Sequence, residues 1–167
     1  EMCIRDSAQA GLQGKIPLYS VFTVDSIALP KLQKANMNGV MGSVMTQFWA
    51  PDLDTPQNKK FVSGFKKKYG RYPSFYAAQS YDTIFLIKSA VEAVKGDLSN
   101  KDGMRAAMEK ANFPSVRGKF SYGNNHFPIQ NFYSREVVKD SDGVWTTSVR
   151  EVVLKNHQDT YAKDCSM

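Results

Sequence analysis

Two short apolar runs with a helical pattern between them open the chain. Residues 16–22 and 40–49 are largely apolar, which is typical of strands buried in a parallel sheet. Apolar residues recur at helical spacing over residues 27–35, and Asp25 or Ser26 can cap that segment. A strand, a helix and a strand with short connections predict a parallel βαβ unit.

Three helices are predicted in the middle of the chain. The first has Thr55 as its N-cap and ends at Gly70, and the second runs over about residues 75–94. Apolar residues cover a wide arc of the second helix, so we expect it to be well buried. Ser99 and Asp102 have the spacing of a capping box and open the third helix.

The hydrophobic period changes to two after Pro114. Residues 116–122, 131–138 and 144–154 alternate between apolar and polar side chains, and a turn sequence at 141–143 joins the last two runs. This pattern predicts a C-terminal antiparallel hairpin with one solvated face. The predicted fold class is therefore α/β, with a parallel βαβ unit, three helices and that hairpin.

Composition narrows the function classes. The 167 residues are 42% hydrophobic, which suffices for a packed core, while a mean hydropathy of -0.42 and the lack of a long apolar run argue against a membrane span. The net charge is +6, but the basic residues are scattered, so we expect no nucleic-acid partner. Cys3 and Cys165 lack the spacing of a zinc site.

No pattern of catalytic residues stands out, so we predict that the protein is not an enzyme and uses no cofactor. His126 and His157 have no partners at metal-ligand spacing, and no phosphate-binding glycine loop or nucleophile motif is present. Asp52 and Asp54 could flank a sugar or bind calcium, but an exposed loop leading to the Thr55 cap is the favoured interpretation.

The first seven residues differ from the rest of the chain. Their reverse translation resembles a transposon end that is used to fragment DNA for sequencing libraries. We therefore interpret residues 1–7 as a sequencing-adapter artefact and exclude them from fold reasoning. On this interpretation the gene extends upstream.

Several segments in order resemble the type I periplasmic solute-binding proteins of ABC transporters, in the branched-chain amino acid and aromatic acid-binding family. The resemblance covers about residues 8–167, and the order and spacing of its segments carry it. These segments are residues 61–73, 76–82, 131–138, 156–159 and 162–165.

The resemblance implies two α/β lobes joined by crossover strands, with a solute held between them. Residues 8–48 would belong to the C-terminal lobe, residues 49–130 would form helices of the N-terminal lobe without most of its sheet, and residues 131–167 would be crossover strands and tail. The chain would be the C-terminal half of the protein. We then expect a large exposed apolar patch that makes the isolated chain prone to aggregation, formed by Phe61, Phe65, Tyr81, Ile84 and Phe85.

Ligands of open α/β sheets bind beyond the carboxyl ends of the strands. Aromatic side chains there could stack on an apolar or aromatic solute, while Thr23 orients its polar end. The predicted ligand-binding residues follow the first strand, follow the second strand or begin the long helix: Phe22, Thr23 and Asp25; Phe48 and Trp49; and Tyr76.

The family's amino acid binders place an acidic residue directly after the first of these strands. Phe22 and Thr23 stand there in this chain, and Asp25 can instead cap a helix. A branched-chain amino acid is therefore less favoured as the solute than an aromatic carboxylate. The resemblance implies an ABC permease in the inner membrane as partner and a periplasmic location, with the signal peptide in the upstream half. The alternative is a ligand-sensing receptor or regulatory domain of the same fold.

Overall fold

The computed structural model describes residues 2–166, with side chains from residue 4 onward. Its helices are α1 (Met2–Gln9), α2 (Leu29–Lys34), α3 (Pro56–Tyr69), α4 (Phe75–Ala93) and α5 (Lys101–Lys110). Its strands are β1 (Tyr19–Val21), β2 (Val44–Gln47), β3 (Ser121–Tyr122), β4 (Pro128–Lys139) and β5 (Trp145–His157). Short 3₁₀ turns occupy Asn38–Val40 and Ala162–Asp164.

The strands form one mixed sheet. β1 pairs with β2 in parallel, and β4 pairs antiparallel with β2, β3 and β5. The predicted βαβ unit (β1, α2 and β2), the three middle helices and the C-terminal hairpin of β4 and β5 are confirmed. The hairpin returns to the βαβ unit, because β4 lies directly beside β2.

Three strand predictions were wrong in extent. β1 has only three residues and is exposed, because within residues 2–166 it pairs only with β2. β2 starts at Val44, after the 3₁₀ turn at Asn38–Val40. The run over 116–122 is a strand only at its last residues, because a turn closed by a hydrogen bond from the Gly118 amide to the Ser115 carbonyl precedes it.

The helix boundaries follow the predicted punctuation except at α2 and α5. Thr55 Oγ1 accepts a hydrogen bond from the Asn58 amide (3.2 Å), and Gly70 ends α3 with φ of 66°. Asn100, not Ser99, caps α5, because its Oδ1 accepts from the Gly103 amide (2.9 Å) while Ser99 bonds to Asp97. The residue at the N-cap of α2 is Ala28.

Two hydrophobic clusters hold the elements together, and β4 contributes to both. Tyr133 of β4 packs in the first cluster, and Val137, four residues further on, packs in the second. The first cluster also contains Phe48, Trp49, Ala50, Leu53, Phe61, Val62, Phe75, Ala78 and Val116. The second cluster also contains Ile4, Val24, Leu29, Leu32, Val40, Met45 and Trp145. The assignment of residues to two lobes stays a prediction.

Helix α4 is less buried than predicted. Ala78, Asp82 and Ala90 are buried on one face, but Ile84 is 64% exposed on the other. Of the predicted apolar patch, Phe61 is buried, whereas Tyr81 and Phe85 are half-buried. Apolar surface on this part of the chain is thus concentrated on the outer face of α4.

Residues 2–7 lie within α1, and Ile4 packs into the second hydrophobic cluster. Any amphipathic segment next to an apolar surface can pack in this way. The origin of residues 1–7 in a sequencing adapter therefore stays a prediction.

Replacing Thr55 by Ala should lower the free energy of unfolding by about 1 kcal/mol, because the Asn58 amide loses its capping partner. Urea denaturation of the full-length protein measures the change. Thr83→Ala is the matched control, since Thr83 lies on the exposed face within α4 and bonds only to the Gln79 carbonyl of its own helix. Equal losses in both variants would contradict the capping role of Thr55.

Candidate functional site

Four aromatic rings meet where the carboxyl ends of β1 and β2 adjoin. Phe22 follows β1, Phe48 follows β2, and both lie against Phe75 at the start of α4, with ring centroids 5.2 Å and 6.1 Å away. The Tyr76 ring is 3.9 Å from the Phe75 ring. We call Phe22, Phe48, Phe75 and Tyr76 the aromatic cluster. Three of its members were predicted from the sequence.

The aromatic cluster has a buried base and an exposed rim. Phe48 and Phe75 are buried, whereas Phe22 is 52% exposed and Tyr76 is 56% exposed. The rim rings can therefore be reached by a small molecule, and the base rings hold them in place. Phe75 was missed in the sequence, although its position after the Ser74 N-cap and beside Tyr76 placed it at the same helix end.

The backbone at Phe22 has an uncommon conformation. Its φ is 60°, and the Thr23 amide donates to the Val21 carbonyl (2.7 Å), which closes a three-residue turn at the end of β1. A residue with a Cβ atom in the left-handed region is strained by about 1–3 kcal/mol. The turn directs the exposed Phe22 towards α4 and leaves Thr23 exposed.

Trp49 lies in the interior, away from the rim of the aromatic cluster. It is 1% exposed, its ring packs against Phe61, and its Nε1 donates to Asn58 Oδ1 (2.7 Å). Asn58 Nδ2 in turn donates to the carbonyls of the loop after β2, at Ala50 and Leu53 among others. The structure therefore places Trp49 as a support between that loop and α3.

Asp25 is also buried, with 6% exposure. Its Oδ1 accepts a hydrogen bond from the Ile27 amide (2.8 Å) and so caps the turn that precedes α2. Of the residues predicted after β1, Phe22 and Thr23 are exposed to solvent and the Asp25 carboxylate faces inward.

A buried ion pair adjoins the aromatic cluster on the side of Phe48. Arg117 Nε donates to Asp82 Oδ2 (2.9 Å), and Asp82 also accepts from Ser115 Oγ (2.6 Å) and from the Val116 amide (2.9 Å). The Arg117 guanidinium carbon is 5.5 Å from the centroid of the Phe48 ring. Sequence reasoning missed this pair. The available signal was a carboxylate at position 82 within an otherwise apolar stretch of helix.

The Arg117 guanidinium has further partners that fix its position. Its Nη1 donates to Gln130 Oε1 (3.1 Å), and its Cζ lies 4.1 Å from the centroid of the Phe120 ring. A guanidinium between two aromatic faces is held by electrostatic attraction to both rings. The pair thus ties α4 to residues 115–117 and to β4, and it places a cation behind Phe48.

A separate groove of about 470 Å³ lies between α3 and the β4–β5 hairpin. Its polar groups are already paired: Tyr72 Oη donates to Asp140 Oδ2 (2.8 Å), Lys66 lies 4.1 Å from the Tyr72 ring centroid, and Asp52 accepts from Ser148 Oγ (2.6 Å). Burial raises the pKa of Tyr72, so its hydroxyl stays protonated and can donate. Pro51 and Asp52 of the loop after β2 line the groove together with residues of α3 and the hairpin.

Residues 4–166 bring together no group of three or more His, Cys, Asp or Glu side chains that could hold a metal ion. No described helix has the length and apolar character needed to cross a bilayer.

The chain matches a known protein family. Residues 2–143 match the periplasmic binding protein family, so the chain belongs to that family. It is similar to Leu/Ile/Val-binding protein homolog 6 of Brucella abortus, with 34% identity over 110 residues that cover 63% of this chain and 27% of that protein.

Two solved structures of ABC transporter solute-binding proteins from Rhodopseudomonas palustris are also similar. One, in complex with benzoate, is 31% identical with a TM-score of 0.79, and the matched region covers 98% of this chain and 42% of that protein. The other, from strain HaA2 in complex with p-hydroxybenzoic acid, is 28% identical with a TM-score of 0.75, and the matched region covers 94% of this chain and 41% of that protein. The chain thus spans less than half the length of these relatives, and the predicted family and fold are confirmed.

Asp82→Ala should lower the free energy of unfolding by about 3–5 kcal/mol, because it leaves the Arg117 guanidinium buried without its counter-charge. Asp102→Ala is the control, since Asp102 forms an exposed pair with Arg105 and should change stability little. Thermal or urea unfolding of the full-length protein measures both. Similar small losses in the two variants would contradict a structural role for the Asp82–Arg117 pair.

Proposed function

We propose that the chain is part of the solute-binding subunit of an ABC importer and that it captures a small aromatic carboxylate. Membership of the periplasmic binding protein family supports solute binding without turnover. The similar solved structures that hold benzoate and p-hydroxybenzoic acid support an aromatic acid. The Brucella relative supports an amino acid as the competing solute.

The aromatic cluster is the observation that carries this proposal. Its rings lie at the adjoining carboxyl ends of two parallel strands, where open α/β sheets bind ligands. A flat solute ring can pack on the exposed rings of Phe22 and Tyr76. The Thr23 hydroxyl can donate a hydrogen bond to a polar substituent of the solute. Phe48 would then support the solute site as the buried base of the cluster, and Trp49 would support the loop after β2.

The charges around the cluster favour a carboxylate over an α-amino acid. An amino acid needs an acceptor for its ammonium group, but Asp25 is turned inward and Asp82 is bound by Arg117, Ser115 and Val116. Arg117, beside the Phe48 ring, is paired with Asp82, so this pair presents no net charge to a solute. The described residues at the cluster therefore favour a solute without an ammonium group.

Solute binding would act through closure of two lobes. A solute that contacts both lobes stabilises the closed form, which the membrane permease then recognises. The location would be the periplasm, with a signal peptide in the upstream half of the protein. A ligand-sensing receptor or regulator of the same fold is the alternative, and an output domain in the same polypeptide would favour it.

Thermal-shift measurements on the full-length protein test the solute class. Benzoate and 4-hydroxybenzoate should raise the melting temperature, since a ligand at 100 times its Kd stabilises the folded state by about 2.7 kcal/mol. Leucine, isoleucine and valine at the same concentration should have a smaller effect. A larger shift with the branched-chain amino acids would overturn the aromatic acid, and no shift with any of these solutes would count against the proposed function.

Phe22→Ala and Tyr76→Ala should each weaken binding of the aromatic acid about tenfold, or about 1.4 kcal/mol, because each removes a ring from the exposed rim. Isothermal titration of the full-length variants gives the Kd. Phe127→Ala is the control, since Phe127 is an exposed aromatic outside the cluster. Unchanged affinity in both rim variants would remove the aromatic cluster from the binding site.

A further inference from the structure

Arg135 of β4 is a buried cation with few partners. It is 1% exposed, and its Nη1 donates to Thr147 Oγ1 (3.3 Å). Its Nε and Nη2 atoms are buried without a hydrogen-bond partner among residues 4–166, and no carboxylate in those residues is at salt-bridge distance from it. Arg117, by contrast, has Asp82 and Gln130 as direct partners. A buried guanidinium with unused donors calls for a compensating charge.

Asp25 is the matching buried anion. Its Oδ1 accepts from the Ile27 amide, but its Oδ2 is buried without a partner among the described side chains. Neighbouring residues place it in the same interior as Arg135. Val24, adjacent to Asp25, packs in the second hydrophobic cluster with Met45, and Met45 pairs directly with Arg135 in the β2–β4 register.

Electrostatics agree with this placement. Burial lowers the pKa of Arg135 to about 10, while the Asp25 carboxylate, followed by that of Asp52, opposes the decrease. Arg135 is therefore still protonated at neutral pH. The two carboxylates lie in the loops after β1 and β2, which border the aromatic cluster.

We propose that Arg135 is a positioning residue of the solute site, acting through Asp25 to hold residues 22–25 in the conformation that presents Phe22 to the aromatic cluster. The inference rests on the proposed function for its effect on solute affinity. The attraction between the two buried charges fixes the carboxylate, and the carboxylate fixes the Ile27 amide. Both ends of the Phe22 turn are thereby held: one by β1 and the other by Asp25.

The conformation of Phe22 explains why such a hold is needed. A φ of 60° is strained for phenylalanine, and its ring is half exposed, so local packing alone restrains it weakly. Strained residues persist only where their surroundings determine the conformation. Freed from Asp25, residues 22–25 can relax to an unstrained backbone, and the contact between Phe22 and Phe75 is then lost.

Four variants of the full-length protein test this inference: Arg135→Met, Asp25→Asn, the double variant, and Arg150→Met as control. Arg150 lies on the neighbouring strand β5 and is exposed, with a pair to Glu136 at 3.5 Å. Amide hydrogen exchange without solute should rise at least fivefold over residues 22–28 in Arg135→Met and Asp25→Asn. Exchange over α4 should stay unchanged in these variants, and Arg150→Met should change neither region.

The double variant separates coupling from simple loss of packing. Each single variant leaves one buried charge without its counterpart, and the double variant removes both, so its melting temperature should exceed that of Arg135→Met. Affinity for the aromatic acid should fall about tenfold in each single variant. In the double variant the affinity should fall no further than in the single variant with the lower affinity. Independent effects of the two substitutions would instead lower it about a hundredfold. The double variant also remains informative if Arg135→Met fails to fold.

Two results would overturn the inference. One is exchange over residues 22–28 in Arg135→Met equal to that in Arg150→Met. The other is additive effects of the two substitutions on melting temperature and affinity. Failure of the proposed function is distinguishable, because the exchange and stability measurements need no solute. If no solute binds but the exchange and stability measurements give the expected results, Arg135 and Asp25 still restrain residues 22–25. Only the assignment of the solute site is then wrong.

Discussion

The pairing of β4 with β2 is the interaction on which the rest of the structure depends. It brings the C-terminal hairpin back to the βαβ unit, and β4 places Tyr133 in one hydrophobic cluster and Val137 in the other. Because the two clusters share no helix, they are joined mainly through this strand pair. The register also decides which face Arg135 enters, since a slip of one residue would turn its side chain to the opposite side of the sheet.

Two buried charge systems flank the candidate site, and they differ in how completely they are paired. Asp82 receives hydrogen bonds from Arg117, Ser115 and Val116, which makes that system a rigid tie between α4 and β4. Asp25 and Arg135, in contrast, each keep buried polar atoms without a hydrogen-bond partner among the described residues. A fully satisfied network stabilises one arrangement, whereas buried polar atoms without partners cost free energy. The first system is therefore the more completely stabilised of the two.

Much of the fold could be predicted from the sequence because its signals are local. Thr55 and Gly70 bound α3 through their own backbone contacts, and the alternation over residues 131–138 needs only neighbouring positions to be recognised. The family could be predicted from the order of segments. Burial could not be predicted, because it depends on partners elsewhere in the chain: Trp49, for example, is enclosed by Asn58 and Phe61. Phe75, Arg117 and Arg135 were missed for the same reason, and solute binding by the predicted residues stays a prediction.

The orientation of the Asp25 carboxylate links the fold to the class of solute. The same carboxylate could either receive an ammonium group from a solute or serve the protein's own interior, and it cannot do both. Its low exposure and its bond to the Ile27 amide show that it faces the interior. An amino acid placed on the aromatic cluster would then find no acceptor for its ammonium group at Asp25. An aromatic carboxylate has no ammonium group, so the orientation of Asp25 removes no partner that it needs.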